Sequence, residues 1–308
     1  MAQVPAVPKT TRARHLLRAR LSASPTPAAA MVASERAALA LRAACLRQKR
    51  AGQVTFLLPL VGPDQVGNWG AVIDRLQATL RAFQRQRNPN WSAAICCQER
   101  PDIPDDPRLT FLRFTDRAPG NDKWRKLRML AEALPDLAQG PGYAMSFDAD
   151  DLLHPAAVDE MLSRQARGGY LAQTGYVMDA ATGDIALSAR PSVTAPMRKP
   201  FWKLCGSCCA MYHDPSEPAS TRFLAEMTQH EHRMFPYLAK LAGQDTAPLS
   251  QPLVLYIINH GENFGARRGR TGYKTRFVQR YRITDPDALT AIRRDFALDR
   301  ARDASTHR

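Results

Sequence analysis

An acidic cluster, Asp148-Ala-Asp150-Asp151, follows directly after a short, mostly apolar run at 143–147. Carboxylates this close together repel one another, and in a folded protein a divalent cation is the usual partner that relieves the repulsion. The alternative is an acidic loop that caps the next helix and complements its dipole. We expect one of these two arrangements, and we favour the metal site.

The residues on either side of the cluster predict the elements that position it. The run at 143–147 is too short for a helix and is bounded by Gly142 and the acidic residues, which is typical of a buried strand. Pro155 follows and is well tolerated at the first position of a helix, so we predict a helix over 155–165. Strand, carboxylates and helix in this order are typical of a ligand site at the carboxyl edge of an α/β sheet.

Apolar strands alternate with amphipathic helices before the cluster. The predicted strands are 54–61, 91–97 and 109–115, and the predicted helices are 69–86 and 121–134. This alternation predicts an α/β fold with a mostly parallel sheet and helices on both faces. After the cluster we predict a hairpin over 170–188, strands at 205–212 and 253–258, and helices at 221–229 and 233–241.

The charge of +14 is concentrated at the two ends of the chain. Residues 1–50 hold ten Lys/Arg and one acidic residue, residues 263–308 hold twelve and five, and the part between is nearly neutral. We therefore divide the chain into a basic, partly disordered arm (1–50, with a helix at about 34–50), a body (51–265) and a basic tail (266–308). Basic ends suit a membrane surface, a diphosphate or nucleic acid, or are simply solvated.

Hydropathy and cysteine content give the expected location. No apolar run reaches the roughly 20 residues that span a bilayer, and the N-terminus lacks the apolar core of a secretory signal. We expect a cytoplasmic protein, and peripheral contact with the inner face of the membrane stays open. The six cysteines include one C-x-x-C spacing at 205–208 without a second pair, so we expect reduced, structural thiols.

Taken in order, these motifs resemble the GT-A glycosyltransferases, especially the bacterial family 2-like and rhamnosyltransferase-type enzymes. The resemblance covers about 54–265 and is carried by an ordered set of segments: the first strand with Pro59, the strand ending at Glu99, Asn121-Asp-Lys123, the acidic cluster, the hairpin 175–183, His230-Glu231-His232 and the segment 256–263. It implies a GT-A fold, Mn²⁺ or Mg²⁺, and a UDP-, GDP- or dTDP-sugar donor. It also implies a glycan or lipid-linked acceptor.

The resemblance assigns roles around the metal and the donor. Asp150 would be the leading metal ligand, Asp148 would contact the ribose or support the metal, and Asp151 would be a further or supporting ligand. His260 would complete the metal or diphosphate site, although a lone histidine is often structural.

Other residues would hold the nucleotide. Pro59 and Lys123 would lie beside it, and Glu99 would accept hydrogen bonds from the base or ribose, unless it pairs with Arg100. Arg267 and Arg268 would close over the diphosphate, or else begin a solvated tail.

The catalytic base falls in the His230-Glu231-His232 segment of the resemblance. An inverting transfer needs a carboxylate to take the proton of the attacking hydroxyl. Glu231 would be that base, with His230 and His232 assisting, although a polar turn that opens the following helix is the other interpretation. Trp202 would stack on the acceptor sugar.

Two other functions compete with this one. A nucleotidyltransferase usually carries a Gly-rich basic loop after its first strand, whereas the loop 62–67 has no Lys or Arg. A basic protein that binds nucleic acid would interleave aromatic and basic residues on one surface, but here the body is nearly neutral. We therefore favour the glycosyltransferase and expect no nucleic-acid partner.

Overall fold

The computed structural model describes residues 3–21, 30–116, 120–261 and 271–298. Its strands are β1 Gln53–Pro59, β2 Trp91–Cys97, β3 Leu109–Arg113, β4 Gly142–Ser146, β5 Leu152–Leu153, β6 Gly169–Leu171, β7 Gly175–Asp179, β8 Ile185–Ser188, β9 Cys209–His213, β10 Ala247–Pro248 and β11 Val254–Ile258. Its helices are α1 Lys9–Leu21, α2 Ala33–Ala43, α3 Trp69–Gln84, α4 Lys123–Glu132, α5 Leu134–Leu137, α6 Ala157–Arg164, α7 Pro218–Met227, α8 Phe235–Leu241, α9 Thr271–Tyr281 and α10 Pro286–Phe296.

A seven-stranded sheet in the order β10-β6-β9-β4-β1-β2-β3 forms the centre of the fold. Strands β4, β1, β2 and β3 are parallel neighbours, and β9 runs antiparallel to both β4 and β6. Its central strands are apolar along most of their length because helices cover both faces of such a sheet. The predicted α/β fold with a mostly parallel sheet is confirmed.

A second sheet of four strands, in the order β5-β11-β7-β8, lies beside the acidic cluster. The predicted hairpin is confirmed, since β7 and β8 pair antiparallel and Gly183 takes a positive φ of 77° at the turn. The short strand β5 begins directly after Asp151 and pairs antiparallel with β11. This pairing brings the end of β11 next to the cluster.

An aromatic core holds the end of β4 in place. Phe56 of β1 stacks on Phe83 of α3 with ring centroids 4.2 Å apart, and Phe147 meets both rings edge-on. All three side chains are fully buried. Because Phe147 immediately precedes Asp148, this packing fixes the point at which the acidic cluster leaves the sheet.

The N-terminal arm is more ordered than the sequence predicts. The sequence predicts a partly disordered arm over 1–50 with one helix at about 34–50, whereas the structure also has α1; residues 22–29 lie outside the described part. The buried ring of His15 lies 3.0 Å from Glu35 of α2 and 3.3 Å from Tyr237 of α8, so tertiary hydrogen bonds hold a helix that composition alone does not predict. Helix α2 ends at Ala43 rather than 50, and its N-cap is Val32.

The C-terminal region also differs from the simple basic tail of the prediction. Helix α9 packs against β7, β8 and β11 of the second sheet. Asp285 caps α10 by accepting a hydrogen bond from the backbone of Asp287, and Pro286 occupies the first turn, which is a common helix start. None of the described helices is long and apolar enough to cross a membrane.

Candidate metal site

The carboxylates of Asp148, Asp150 and Asp151 converge at the carboxyl end of β4. One oxygen from each of the three lies within 4.8 Å of the others. The backbone turns sharply here, with Asp151 N–H donating to the carbonyl of Asp148 at 3.1 Å. The chain therefore brings three carboxyl groups together between the two sheets, at a spacing that suits oxygen ligands around one divalent ion.

Asp151 is the buried member of the cluster, with no exposed surface. Its Oδ2 accepts hydrogen bonds from Ser207 Oγ at 2.6 Å and from Cys205 Sγ at 3.2 Å. Its Oδ1 is also buried, yet has no hydrogen-bond partner within the described part of the chain. Burial, together with the charges of Asp150 and Asp148, raises the pKa of Asp151 well above its ordinary value. A cation beside Oδ1 would satisfy this atom and relieve the repulsion.

Asp148 forms an ion pair with Lys123 next to a tightly packed loop. Lys123 Nζ, from the first turn of α4, lies 2.5 Å from Asp148 Oδ1. Burial alone would lower the pKa of Lys123, but the charge of Asp148 outweighs it and the pKa is raised, so the ammonium stays charged. A Cβ at Gly206 would lie 3.2 Å from Asp148 Oδ2, so the absence of a side chain lets this loop approach the ion pair.

Asp150 pairs with His260, whose Nε2 lies 2.8 Å from Asp150 Oδ2. Burial opposes ionisation of Asp150, but the hydrogen bond and charge of His260 outweigh it and hold the pKa below its ordinary value. The His260 carbonyl accepts a hydrogen bond from Arg75 of α3 at 2.5 Å. The structure places His260 beside the cluster, and its role toward a metal stays a prediction.

Asn259 anchors the segment that carries His260. It adopts a left-handed backbone conformation with φ 59°, which asparagine tolerates better than most residues. Its Nδ2 donates to Asp179 Oδ2 at 2.6 Å and to Thr275 Oγ1 at 2.9 Å. These bonds tie the end of β11 to β7 and α9, so the position of His260 depends on both elements.

Lys274 of α9 is a second cation near the cluster, and sequence reasoning missed it. Its ammonium donates to the Tyr256 hydroxyl. Burial lowers the pKa of Lys274, although the nearby Asp151 and Asp148 oppose the shift. Burial also raises the pKa of Tyr256 well above its ordinary value, so the phenol keeps its proton. No motif marks Lys274 in the sequence, because only the packing of α9 on the second sheet brings it here.

The two histidines of the predicted catalytic segment lie in different environments. His230 is buried, with Nε2 2.7 Å from Ser34 Oγ, and its backbone pairs with Val4 of the N-terminal arm. Burial, with the positive charges of Lys123, Arg233 and Lys274, lowers the pKa of His232 to about 3, so His232 is neutral and near the cations of the site.

Glu231 lies between these histidines, is partly exposed, and precedes the 3-10 turn His232–Met234. The polar turn that the alternative interpretation predicts is therefore present. The catalytic roles of Glu231, His230 and His232 stay predictions.

Two of the predicted nucleotide-binding residues, Pro59 and Glu99, lie at the carboxyl ends of β1 and β2. Pro59 ends β1 and is partly buried, whereas Glu99 is exposed just beyond β2. Within the described ranges no ion pair joins Glu99 to Arg100, whose guanidinium lies over the Phe111 ring instead. Arg267 and Arg268 lie outside the described residues.

A buried polar network supports these strand ends, and the sequence did not single it out. Gln98 donates to Asp122 Oδ2 at 2.6 Å, and the fully buried Lys126 Nζ lies 2.8 Å from Asp122 Oδ2. Lys126 also donates to Gln98 Oε1 at 2.8 Å and to the Leu60 carbonyl at 2.6 Å. These bonds fix the start of α4, and therefore the position of Lys123, against β1 and β2.

Trp202 and the cysteines are the remaining residues that the sequence analysis singled out. Trp202 is partly buried in the 3-10 turn Phe201–Lys203, and Arg233 Nε donates to the Lys203 carbonyl at 3.3 Å. All six cysteines are free, as expected, and Cys45 alone is exposed. Burial and the charge of Asp151 raise the pKa of Cys205 well above its ordinary value, so this thiol stays protonated and donates to Asp151.

No protein-family model matches the chain, and no curated protein matches it. Three carboxylates, one with a buried oxygen that has no partner among the described residues, could hold a divalent cation, and the ammonium groups of Lys123 and Lys274 lie beside them. Such a mixture of metal ligands and fixed cations suits a substrate that carries phosphate groups.

Proposed function

We propose that this protein is a metal-dependent glycosyltransferase with a GT-A fold, which transfers a sugar from a nucleotide-sugar donor to a hydroxyl acceptor. The observation that carries the proposal is the convergence of Asp148, Asp150 and Asp151 at the end of a central parallel strand, with Asp151 Oδ1 buried and unpartnered within the described chain. Ligand sites of α/β sheets lie at this edge of the strands.

The donor set fits Mn²⁺ or Mg²⁺. Both ions prefer oxygen ligands, and the site offers carboxylate oxygens from Asp148, Asp150 and Asp151, whereas His260 adds a nitrogen at the side of Asp150. When bound, the cation would supply positive charge for the diphosphate of the donor.

The cationic side chains have a separate task. Lys123 and Lys274 would bind phosphate oxygens and stabilise the negative charge that develops on the leaving nucleoside diphosphate. Lys123 stays charged because of Asp148, and α9 holds Lys274 beside Tyr256.

Glu231 is the proposed base for the acceptor hydroxyl. A carboxylate that is partly exposed can reach an incoming hydroxyl and take its proton as the oxygen attacks the anomeric carbon. His232, neutral and adjacent, would accept or donate a hydrogen bond without adding charge. Attack from the face opposite the diphosphate would invert the anomeric configuration.

The proposal is tested with a panel of UDP-, GDP- and dTDP-sugars in the presence and absence of Mn²⁺. We expect one donor to raise the Tm only with the metal, and to release a nucleoside diphosphate in the presence of acceptors. Asp150→Ala should abolish both effects, whereas Asp74→Ala, at an exposed position on α3, should retain them. Full activity of Asp150→Ala would refute the metal assignment. Release of pyrophosphate from a nucleoside triphosphate and a sugar 1-phosphate, without turnover of any nucleotide sugar, would indicate a nucleotidyltransferase instead.

A further inference from the structure

Helix α1 has one face packed on the protein and one face in solvent. His15 and Ala19 are buried, and the bonds of His15 to Glu35 and Tyr237 fix the helix on α2 and α8. Arg12, on the same side, lies with its guanidinium over the Tyr237 ring. The opposite face is therefore presented to solvent in a defined orientation.

That outer face combines arginine and leucine. Arg14, Leu17, Arg18 and Leu21 occupy positions i, i+3, i+4 and i+7, which share one side of a helix. Leu17 is 58% exposed and Leu21 is 80% exposed, two of the few large apolar side chains that are exposed in the described chain. We call these four residues the outer face of α1.

The positive charge of α1 indicates the kind of partner that its outer face would bind. Helix α1 contains Lys9, Arg12, Arg14, Arg18 and Arg20 and no acidic residue, and all of these except Arg12 are exposed. An anionic lipid surface offers phosphates to the arginines and an apolar interior to the leucines between them. A nucleic acid would leave both leucines in water, and the outer face has no aromatic side chain to stack on bases.

We propose that the outer face of α1 docks this protein on a membrane surface rich in anionic phospholipid. The helix lies flat, with Arg14 and Arg18 at the level of the headgroups and Leu17 and Leu21 inserted between them. This inference does not depend on the proposed transferase activity, since it uses no residue of the candidate metal site.

The test is cosedimentation of the full-length protein with vesicles of phosphatidylcholine alone or mixed with phosphatidylglycerol. We expect binding only to the anionic vesicles, and weaker binding as salt rises, because the attraction is screened. The double variant R14E/R18E should weaken binding about 25-fold or more, since each basic residue at the surface contributes about fivefold. L17S/L21S should weaken it about tenfold through lost apolar burial.

A matched control carries the same change in net charge elsewhere. Arg81 and Arg222 are exposed on α3 and α7, so R81E/R222E should bind vesicles like the unchanged protein. Circular dichroism checks that every variant is folded. The proposal is overturned if the unchanged protein does not bind anionic vesicles, if the control loses binding as strongly as R14E/R18E, or if L17S/L21S binds normally.

Discussion

Replacing Asp151 by asparagine separates the two contributions that this buried carboxylate makes. In the absence of metal, burial and the charges of Asp150 and Asp148 oppose its ionisation, and in the presence of metal it would be a ligand. Asp151→Asn should therefore stabilise the metal-free protein and remove the stabilisation that Mn²⁺ provides. The two effects have opposite signs, so a general loss of folding cannot imitate them.

The size of the first effect follows from the distances. At separations up to 4.8 Å and an effective dielectric constant of about 20, each repulsion on an ionised Asp151 costs about 3.5 kcal/mol, and Lys123 offsets roughly one of the two. The amide would also place an N–H at the Oδ1 position, where the described part of the chain offers no acceptor, and this costs about 1–2 kcal/mol. The net gain of about 1.5–2.5 kcal/mol corresponds to a rise in Tm of about 2–4 °C.

Differential scanning calorimetry measures both parts of the prediction. The protein is first treated with a chelator and then titrated with Mn²⁺, and Asp74→Asn on the exposed face of α3 serves as the control that also removes one charge. We expect the Tm of Asp151→Asn to exceed that of the unchanged protein without metal, and to respond little to Mn²⁺. A lower metal-free Tm, or an undiminished response to Mn²⁺, would refute the reasoning.

Lys274→Ala should lower kcat at least tenfold and Lys274→Arg should recover most of it; equal loss in both variants would contradict a role for the charge. Burial lowers the pKa of His213 from 6.5 to about 4, so between these pH values the unfolded chain binds a proton that the folded protein does not. The free energy of unfolding is therefore highest above pH 6.5, and about 3 kcal/mol of it should be lost as the pH falls to 4. His213→Asn should flatten this dependence in urea titrations, and an unchanged slope would contradict it. Ser34→Ala leaves His230 Nε2 unpaired and should lower kcat rather than raise KM, because His230 adjoins Glu231; a change in KM alone would exclude this positioning role.

Sequence patterns predicted the sheet well because its strands are short apolar runs with clear ends. The strand over 91–97 and the start of α3 at Trp69 agree with the structure, and the hairpin 170–188 resolves into β6, β7 and β8. The acidic cluster was equally visible, since three carboxylates in four positions need no tertiary information to be noticed. These features depend on residues that are close together in the sequence, so sequence patterns are enough to predict them.

The parts that the sequence did not reveal depend on contacts between distant segments. Helix α1 is held by the pairing of His15 with Glu35 and Tyr237, the last of which lies 222 positions away in the chain. Lys274 reaches the site only because α9 packs on the second sheet. Gln98 turns inward to Asp122 while its neighbour Glu99 stays exposed, and no pattern in the strand distinguishes the two.

The candidate metal site lies where the two sheets meet, so a bound cation should affect the stability of both. Asp148 follows β4 of the central sheet, Asp151 leads into β5 of the second, and Asp150 contacts His260 at the end of β11. Thr79 of α3 donates to the Asp151 carbonyl at 2.8 Å, so a helix of the central layer also holds the turn. A cation bound to the three carboxylates would therefore link segments of both sheets. Since ligand binding stabilises the conformation that binds, the cation should slow hydrogen exchange in β5 and β11 as well as in the turn itself.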